Sequence, residues 1–203
     1  MSKIAMFGGS FNPVHIGHTG LVARMLKQFE LDKVYVIPTF STPLKDNTPM
    51  LSPIHRLNMC KLAFEDFKKV SVSDIEILRE GKSYTVDTLK ELSIIHPQSE
   101  LFLIIGADSF MQLPLWHEAE RIFSLATVLT VSRDDIDADA LSSTKALYEQ
   151  KYNANVFIVK DPIAPVSSTL IRNAVKNKEE YKHLLPVKVS DYIRKNSLYA
   201  YED

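Results

Sequence analysis

The sequence is poor in cysteine, lacks long apolar runs and carries almost no excess charge of either sign. Cys60 is the single cysteine among 203 residues, so no disulfide forms within the chain, and we expect a reducing cytoplasm as its compartment. The longest apolar stretches, such as residues 101–107, fall far below the roughly 20 residues that a membrane-spanning helix needs. Residues 1–9 contain too short an apolar run for a signal peptide, so no membrane association is expected.

The charge balance excludes another class of partner. There are 24 Lys and Arg residues against 25 Asp and Glu, a formal net charge of −1. Such a chain has no overall positive field with which to hold a nucleic acid polymer, so any phosphate ligand must be met locally. Hydrophobic residues at 45% and charged residues at 24% are typical of a folded globular protein.

Short apolar segments alternate with helix-like segments along the whole chain. This alternation, without a repeat or a linker, predicts one α/β domain over residues 1–203 with a mostly parallel sheet, on which the terminal helices from about residue 168 pack. Strands are predicted at residues 4–7, 33–37, 101–105, 127–131 and 156–159, with 70–77 also extended. Helices are predicted at residues 21–29, 53–64, 84–95, 109–113, 117–125, 138–152, 168–176 and 187–195.

Parallel sheets of this kind bind ligands beyond the carboxyl ends of their strands. The loop after the first strand reads Gly-Gly-Ser-Phe-Asn-Pro-Val-His-Ile-Gly-His over residues 8–18. Its glycines let backbone N–H groups approach phosphate oxygens, and His15 and His18 share one face of a helix start. The same residues could form a tight turn with two capping histidines, or part of a metal site that no nearby cysteine or carboxylate completes.

Three further features lie near predicted strand ends or helix starts. Residues 167–172 place hydroxyl groups and Arg172 at a helix N-terminus, which suits an anion but also suits an ordinary cap with a solvated arginine. Asp108 follows a buried strand, where it either faces the site or caps a helix. Trp116 is either a core residue or a platform for a ligand ring. No Walker-type phosphate loop and no G-x-G-x-x-G sequence is present.

Several of these segments together resemble one known family. The sequence His15-Ile-Gly-His18 is the signature of the HIGH-motif nucleotidyltransferase superfamily. Val166-Ser-Ser-Thr-Leu-Ile-Arg172 resembles the Ile-Ser-Ser-Thr-x-Ile-Arg motif of the nicotinate mononucleotide adenylyltransferase family. The segments beginning at Ser83 (Ser-Tyr-Thr-Val-Asp-Thr-Leu) and Gly106 (Gly-Ala-Asp), and the later Trp116, are similar to elements of that family too.

The resemblance implies a Rossmann-like nucleotidyltransferase fold and transfer of the adenylyl group of ATP, with Mg²⁺, to nicotinate mononucleotide. It implies catalytic roles for His15, His18 and Arg172, and no residue as a dedicated metal ligand. It implies that the following residues contact ATP: Gly8, Gly9, Ser10, Phe11, His15, Gly17, His18, Gly106, Asp108, Ser167, Ser168, Thr169 and Arg172. It implies that Lys45, Thr85, Trp116 and Arg133 contact the mononucleotide.

The sequence departs from the family pattern at two places. Asn12 stands where the family commonly has Asp, and Ser41-Thr-Pro-Leu-Lys45 replaces a stretch similar to Pro-Pro-His-Lys. Lys45, Arg56 and Arg133 match basic family positions that face phosphates, although each considered alone is typical of a solvated surface charge.

Alternatives remain open at the level of sequence. Another adenylyltransferase or cytidylyltransferase would differ in its acceptor, which could be nicotinamide mononucleotide or phosphopantetheine. A nucleotide sensor without turnover would keep the same pocket. A tRNA synthetase is excluded by the size of the chain, its charge balance and the lack of a Lys-Met-Ser-Lys-Ser segment. A homo-oligomer is neither indicated nor excluded.

Overall fold

The computed structural model describes residues 1–42, 50–132, 135–160 and 166–200. Its centre is a six-stranded sheet in the order β3-β2-β1-β4-β5-β6, and every neighbouring pair of strands is parallel. The strands are β1 (Ser2–Gly9), β2 (Lys33–Pro38), β3 (Val70–Val72), β4 (Ser99–Ile104), β5 (Thr127–Ser132) and β6 (Val156–Lys160).

Helices connect the strands and cover the sheet. They are α1 (Ile16–Gln28), α2 (Pro53–Phe64), α3 (Ile75–Arg79), α4 (Thr85–Ile95), α5 (Ala107–Met111), α6 (Ala119–Leu125), α7 (Asp135–Tyr152), α8 (Ser168–Lys176) and α9 (Val187–Lys195). Short 3₁₀ turns lie at Leu113–Leu115 and Lys182–Leu184.

The sheet is covered on both faces, as an unbroken apolar strand such as β4 predicts. Side chains alternate along β1: Ala5 and Phe7 belong to one apolar cluster, and Ile4 and Met6 to the other. The first cluster includes residues of α1, α2, α8 and α9, and the second includes residues of α4, α6 and α7. The two terminal helices therefore pack on the same face of the sheet as α1.

The strand order reverses direction at β1, because β2 lies on one side of it and β4 on the other. Connections leave this point toward opposite faces of the sheet, so a crevice opens beyond the carboxyl ends of β1 and β4. The α/β Rossmann-like fold expected from the sequence is confirmed by this arrangement.

One predicted element is wrong and several boundaries shift. Residues 70–77 were expected to be extended, but β3 ends at Val72 and α3 begins at Ile75. The backbone N–H of Ser73 donates to the carbonyl of Val36, which is the last bond to β2, and the chain then turns at Asp74. The apolar residues at 70, 72, 75 and 77 continue across this turn, so the sequence contains no signal that the strand ends there. Over the described ranges, no helix is long and apolar enough to cross a membrane.

Candidate active site

A cavity of about 780 Å³ lies at the crevice beside the end of β1. The loop after β1, the start of α5 and the start of α8 line it, because all three follow the carboxyl edge of the sheet. Every residue that the sequence predicts to contact ATP lines this cavity: Gly8, Gly9, Ser10, Phe11, His15, Gly17, His18, Gly106, Asp108, Ser167, Ser168, Thr169 and Arg172. Other lining residues that the sequence did not single out include Leu21, Met50, Ser109 and Val131.

His15 and His18 form a stacked pair at the start of α1. Their ring centroids are 3.7 Å apart with the planes inclined by 28°. The backbone N–H of His15 donates to Nδ1 of His18 over 3.1 Å. A ring nitrogen that accepts a hydrogen bond carries no proton, so the neutral His18 ring has its proton on Nε2. This nitrogen is a donor, which suits a phosphate oxygen.

The surroundings of His18 favour its neutral form. Burial lowers the pKa of His18 well below its usual value, and the neighbouring His15 lowers it further. Both effects act in the same direction, because the charged imidazolium is poorly solvated here and would lie against a second imidazole. Before an anion arrives, the site therefore offers a neutral donor rather than a fixed cation.

Gly17 is required by close packing. A Cβ atom at this position would lie 2.9 Å from Cγ1 of Val166 and 3.1 Å from Nδ1 of His15. Gly17 therefore lets the segment before α8 approach the histidine pair. At Gly106, by contrast, a Cβ atom would meet nothing within 4 Å, because this residue borders open space in the cavity.

The start of α8 is tied to the loop after β1. The Ser168 hydroxyl donates to the carbonyl of Pro13 over 2.8 Å, and Nη1 of Arg172 donates to the carbonyl of Asn12 over 2.8 Å. Nη2 of Arg172 donates to Oγ1 of Thr169 over 3.1 Å. These bonds join the two predicted phosphate-binding segments into one wall of the cavity.

Asn12, one of the positions where the chain departs from the family pattern, accepts hydrogen bonds from two other segments. Its Oδ1 accepts hydrogen bonds from the hydroxyl of Tyr199 at 3.0 Å and from the backbone N–H of Leu51 at 3.3 Å. An amide oxygen and a carboxylate oxygen can both accept these bonds. Asn12 thus connects the loop after β1 to the C-terminal segment through an oxygen atom, and this part of its role does not require a carboxylate.

A second cavity of about 410 Å³ adjoins the first. Thr85, the first residue of α4, and the half-buried Trp116 both line it, and these are two of the residues that the sequence predicts to contact the mononucleotide. Gly8, Gly9, Ser10, Ser109 and Trp116 line both cavities, so the two spaces meet at the end of β1. Lys45 and Arg133 lie outside the described residues.

The rim of the second cavity contains polar groups to which the sequence assigned no individual role. The backbone N–H of Phe40 donates to the Ser83 hydroxyl over 2.9 Å, and the N–H of Ser83 donates to the carbonyl of Ser41 over 3.0 Å. These bonds fix the loop after β2 against the segment before α4. The only sequence signal for Ser83 was its place directly before Tyr84 and Thr85.

Glu76 is a buried acid on the same cavity, with 2% of its surface exposed. Its Oε1 accepts a hydrogen bond from Oγ1 of Thr88 over 2.7 Å, whereas Oε2 has no hydrogen-bond partner among the described groups. Burial raises the pKa of Glu76, and the hydrogen bond from Thr88 lowers it in part. An acid in a short helix carries no sequence signal of such burial.

Arg56 is not the solvated charge that its residue type suggested. Its side chain is fully buried, and it lines neither cavity. The guanidinium group donates to backbone carbonyl oxygens only, among the partners that the described ranges contain. The expectation that Arg56 faces phosphates directly is therefore also wrong, because the side chain is buried and its bonded donors point to the backbone.

Known proteins resemble this chain over nearly its whole length. The sequence profile of the cytidylyltransferase-like family matches residues 6–174. A protein of Carboxydothermus hydrogenoformans named "Probable nicotinate-nucleotide adenylyltransferase" is 38% identical, over 98% of each chain. A protein of Fusobacterium nucleatum with the same name is 41% identical, over 95% of this chain and 97% of its own.

Solved structures share the fold. The Plasmodium falciparum nicotinic acid mononucleotide adenylyltransferase complexed with NaAD superposes with a TM-score of 0.80, at 18% identity and 98% coverage of each chain. The same enzyme complexed with APC gives a TM-score of 0.79 at 19% identity and the same coverage. From the extent of its identity to the bacterial relatives, the chain belongs to the nicotinate-nucleotide adenylyltransferase family.

Proposed function

We propose that the protein transfers the adenylyl group of ATP to nicotinate mononucleotide, giving nicotinate adenine dinucleotide and pyrophosphate in NAD biosynthesis. Family membership supports this reaction. The observation that carries it is the pair of adjoining cavities that share Gly8, Gly9, Ser10, Ser109 and Trp116. A transfer between two nucleotides needs two binding spaces that meet where the phosphates react.

The larger cavity takes ATP in this proposal. Nε2 of His18 donates to the α-phosphate, and His15 lies beside it on the same anion. The hydroxyl groups of Ser167, Ser168 and Thr169, with Arg172, hold the leaving pyrophosphate at the N-terminus of α8, where backbone N–H groups and the helix dipole favour an anion. The backbone of Gly8–Phe11 and Gly106 with Asp108 complete the ATP contacts.

The smaller cavity takes the mononucleotide. Trp116 stacks on the pyridine ring, and Thr85 lies against its carboxylate at the start of α4. The stacking role is supported by the half-buried position of Trp116 between the two cavities. Lys45 and Arg133 contribute positive charge for the 5′-phosphate in this proposal.

The reaction needs no protein nucleophile. The phosphate of the mononucleotide attacks the α-phosphorus of ATP in line, and pyrophosphate leaves. The attacking group is already ionised, so a general base would contribute little and we assign none. The barrier that remains is the approach of like charges: two unit charges about 4 Å apart repel by about 1 kcal/mol in water and about 4 kcal/mol at an effective dielectric of 20. Donors and cations in the cavity reduce this repulsion.

Mg²⁺ enters this site together with ATP in the proposed reaction. Within the described ranges, no group of three or more His, Cys, Asp or Glu side chains is placed to hold a metal. Mg²⁺ commonly binds through substrate phosphates and water with one or two carboxylates. Asp108, which lines the ATP cavity, is the carboxylate that would assist, and the ion would supply charge neutralisation of the phosphates.

The test measures kcat/KM with ATP and Mg²⁺ for nicotinate and nicotinamide mononucleotides, following dinucleotide and pyrophosphate together. We expect a strong preference for nicotinate. Comparable turnover of both, or turnover of nicotinamide mononucleotide alone, would contradict the assigned acceptor. Turnover of neither would overturn the proposal, with phosphopantetheine as the next acceptor to test. Tight ATP binding without any product would favour a sensor.

Since NAD biosynthesis of this kind uses soluble substrates, we also propose a cytoplasmic location.

A further inference from the structure

A buried arginine holds the loops around the two cavities together. Nε of Arg56 donates to the carbonyl of Leu51 over 3.0 Å, and Nη1 donates to the carbonyl of Ser10 over 2.9 Å. Nη2 donates to the carbonyls of Thr39 and Phe40 over 2.6 and 3.2 Å. One side chain on α2 thereby joins the loop after β1, the loop after β2 and the segment before α2.

Among the described residues, no carboxylate forms a bond that neutralises the charge of this arginine. Fully buried charged groups are normally paired with an opposite charge. Over the described part of the chain, the partners of Arg56 are carbonyl dipoles and none is a carboxylate. Burial raises the pKa of the nearby Cys60 thiol, so this thiol supplies no opposite charge at neutral pH. Carbonyl dipoles solvate a cation without cancelling it, so the loops above Arg56 experience a positive charge.

The bond to Ser10 also sets the direction of a peptide group. In a trans peptide, the carbonyl and the N–H point in opposite directions. Because the carbonyl of Ser10 points at Arg56, the N–H of Phe11 in the same peptide group points away from Arg56. In the described ranges no group accepts a hydrogen bond from this N–H. Both residues line the larger cavity.

Phe11 has a backbone conformation that needs such support. Its φ is +44°, in the left-handed region that residues other than glycine rarely adopt. This conformation is strained for a residue with a Cβ atom, so surrounding bonds must hold it. Successive backbone N–H groups next to a left-handed residue form concave anion sites in other proteins.

We propose that Arg56 is a positioning residue for nucleotide phosphate: it holds the Ser10–Phe11 peptide so that the Phe11 N–H donates to the bound phosphate, and its positive charge favours that anion. The inference rests on the proposed function only in identifying the anion as a nucleotide phosphate. Arg56 itself does not touch the substrate.

The test is a series of ligands that differ in charge. Dissociation constants of the whole protein for adenosine, AMP and ATP are measured by calorimetry with Mg²⁺ present, for wild type, Arg56→Met and Arg56→Lys. For Arg56→Met we expect ATP binding to weaken about tenfold or more, AMP binding to weaken less, and adenosine binding to change less than about twofold. Arg56→Lys keeps the charge but not the fork of donors, so we expect an intermediate loss for ATP.

Two results would overturn the inference: equal weakening for adenosine and ATP, which marks a purely structural role, or unchanged ATP binding in Arg56→Met. If Arg56→Met does not fold, Arg56→Lys decides by the same criterion, because its loss must still grow with ligand charge. Asn58→Ala, on the same helix but bonded to Tyr192, is the matched control and should leave all three constants unchanged. The proposed function fails separately, if wild type binds ATP but forms no dinucleotide.

Discussion

Nδ1 of His18 accepts a hydrogen bond from the backbone N–H of His15 at 3.1 Å, while the two imidazole rings stack with their centroids 3.7 Å apart. The first contact determines which nitrogen of His18 carries the proton, and the second makes a charge on both rings unfavourable. Together they leave Nε2 of His18 as a preorganised donor. Preorganised donors are the groups that stabilise charge developing in a transition state.

Two substitutions of His18 separate its catalytic and structural contributions. In His18→Asn the side-chain oxygen can still accept from the His15 N–H, but the donor at Nε2 is lost. We expect both His18→Asn and His18→Ala to lower kcat by on the order of 10². Thermal unfolding should show that Asn retains about 1 kcal/mol of stability that Ala loses. A kcat within threefold of wild type in either variant would contradict the assigned role.

The lowered pKa of His18 predicts how stability changes with pH. Burial and His15 lower its pKa in the folded state, so as pH falls below about 7.5 the unfolded chain, with a His pKa near 6.5, binds a proton first. This contribution to stability is therefore present at neutral pH and is lost as pH falls toward the folded-state pKa. Urea unfolding at pH 7.5, 6.5 and 5.5 should show that the free energy of unfolding falls more steeply with decreasing pH for wild type than for His18→Asn. Parallel curves would contradict this assignment.

The sequence predicted helices best where the apolar residues follow a helical period, and it predicted site residues best where loops follow the strands of a parallel sheet. The bounds of α8 and α9 match the predicted ranges, because each is amphipathic and has a clear start at Ser168 or after Pro186. Every predicted ATP contact lines one cavity, since the carboxyl ends of parallel strands meet at one edge of the sheet. The roles of those side chains remain predictions.

Burial of charged residues could not be predicted. Arg56 and Glu76 are of residue types that are mostly exposed, and nothing in their local sequence distinguishes them from surface charges. Arg56 is buried because carbonyl groups distant in sequence surround it, at Ser10 and Thr39. Such partners arise from the fold as a whole, and a single sequence does not reveal them.

Two glycines in α1 provide a matched test of close packing. At Gly17 a Cβ atom would lie 2.9 Å from Val166 and 3.1 Å from the His15 ring, whereas at Gly20 it would meet nothing within 4 Å. We expect Gly17→Ala to destabilise the fold by about 1–3 kcal/mol and to lower activity, since Val166 and His15 must move. Gly20→Ala should stabilise the fold by up to about 1 kcal/mol through helix propensity. Equal effects of the two substitutions on the free energy of unfolding would contradict this account.

The raised pKa of Glu76 predicts that its contribution to the stability of the fold changes with pH in the direction opposite to that of His18. Burial raises its pKa in the folded state, so the folded protein holds a proton that the unfolded chain releases as pH rises above the usual value of 4.5. Its contribution is favourable at low pH and is lost as pH rises through the folded-state pKa. Glu76→Gln keeps an oxygen for Thr88 and removes the charge. We therefore expect a stability gain of about 1–2 kcal/mol at pH 7.5 that shrinks toward pH 4.5.

The matched control for Glu76 is Glu149→Gln, on helix α7. Glu149 pairs with Lys145 at the surface, with 45% of its side chain exposed, and breaking such a pair costs about 0–1 kcal/mol. Urea unfolding of both variants and wild type across pH 4.5–7.5 is the measurement. If burial raises the pKa of Glu76, the free energy of unfolding of Glu76→Gln must increasingly exceed that of wild type as the pH rises. If the two curves stay parallel, the carboxylate is solvated as well in the folded protein as in the unfolded chain, and the burial of Glu76 carries no electrostatic cost.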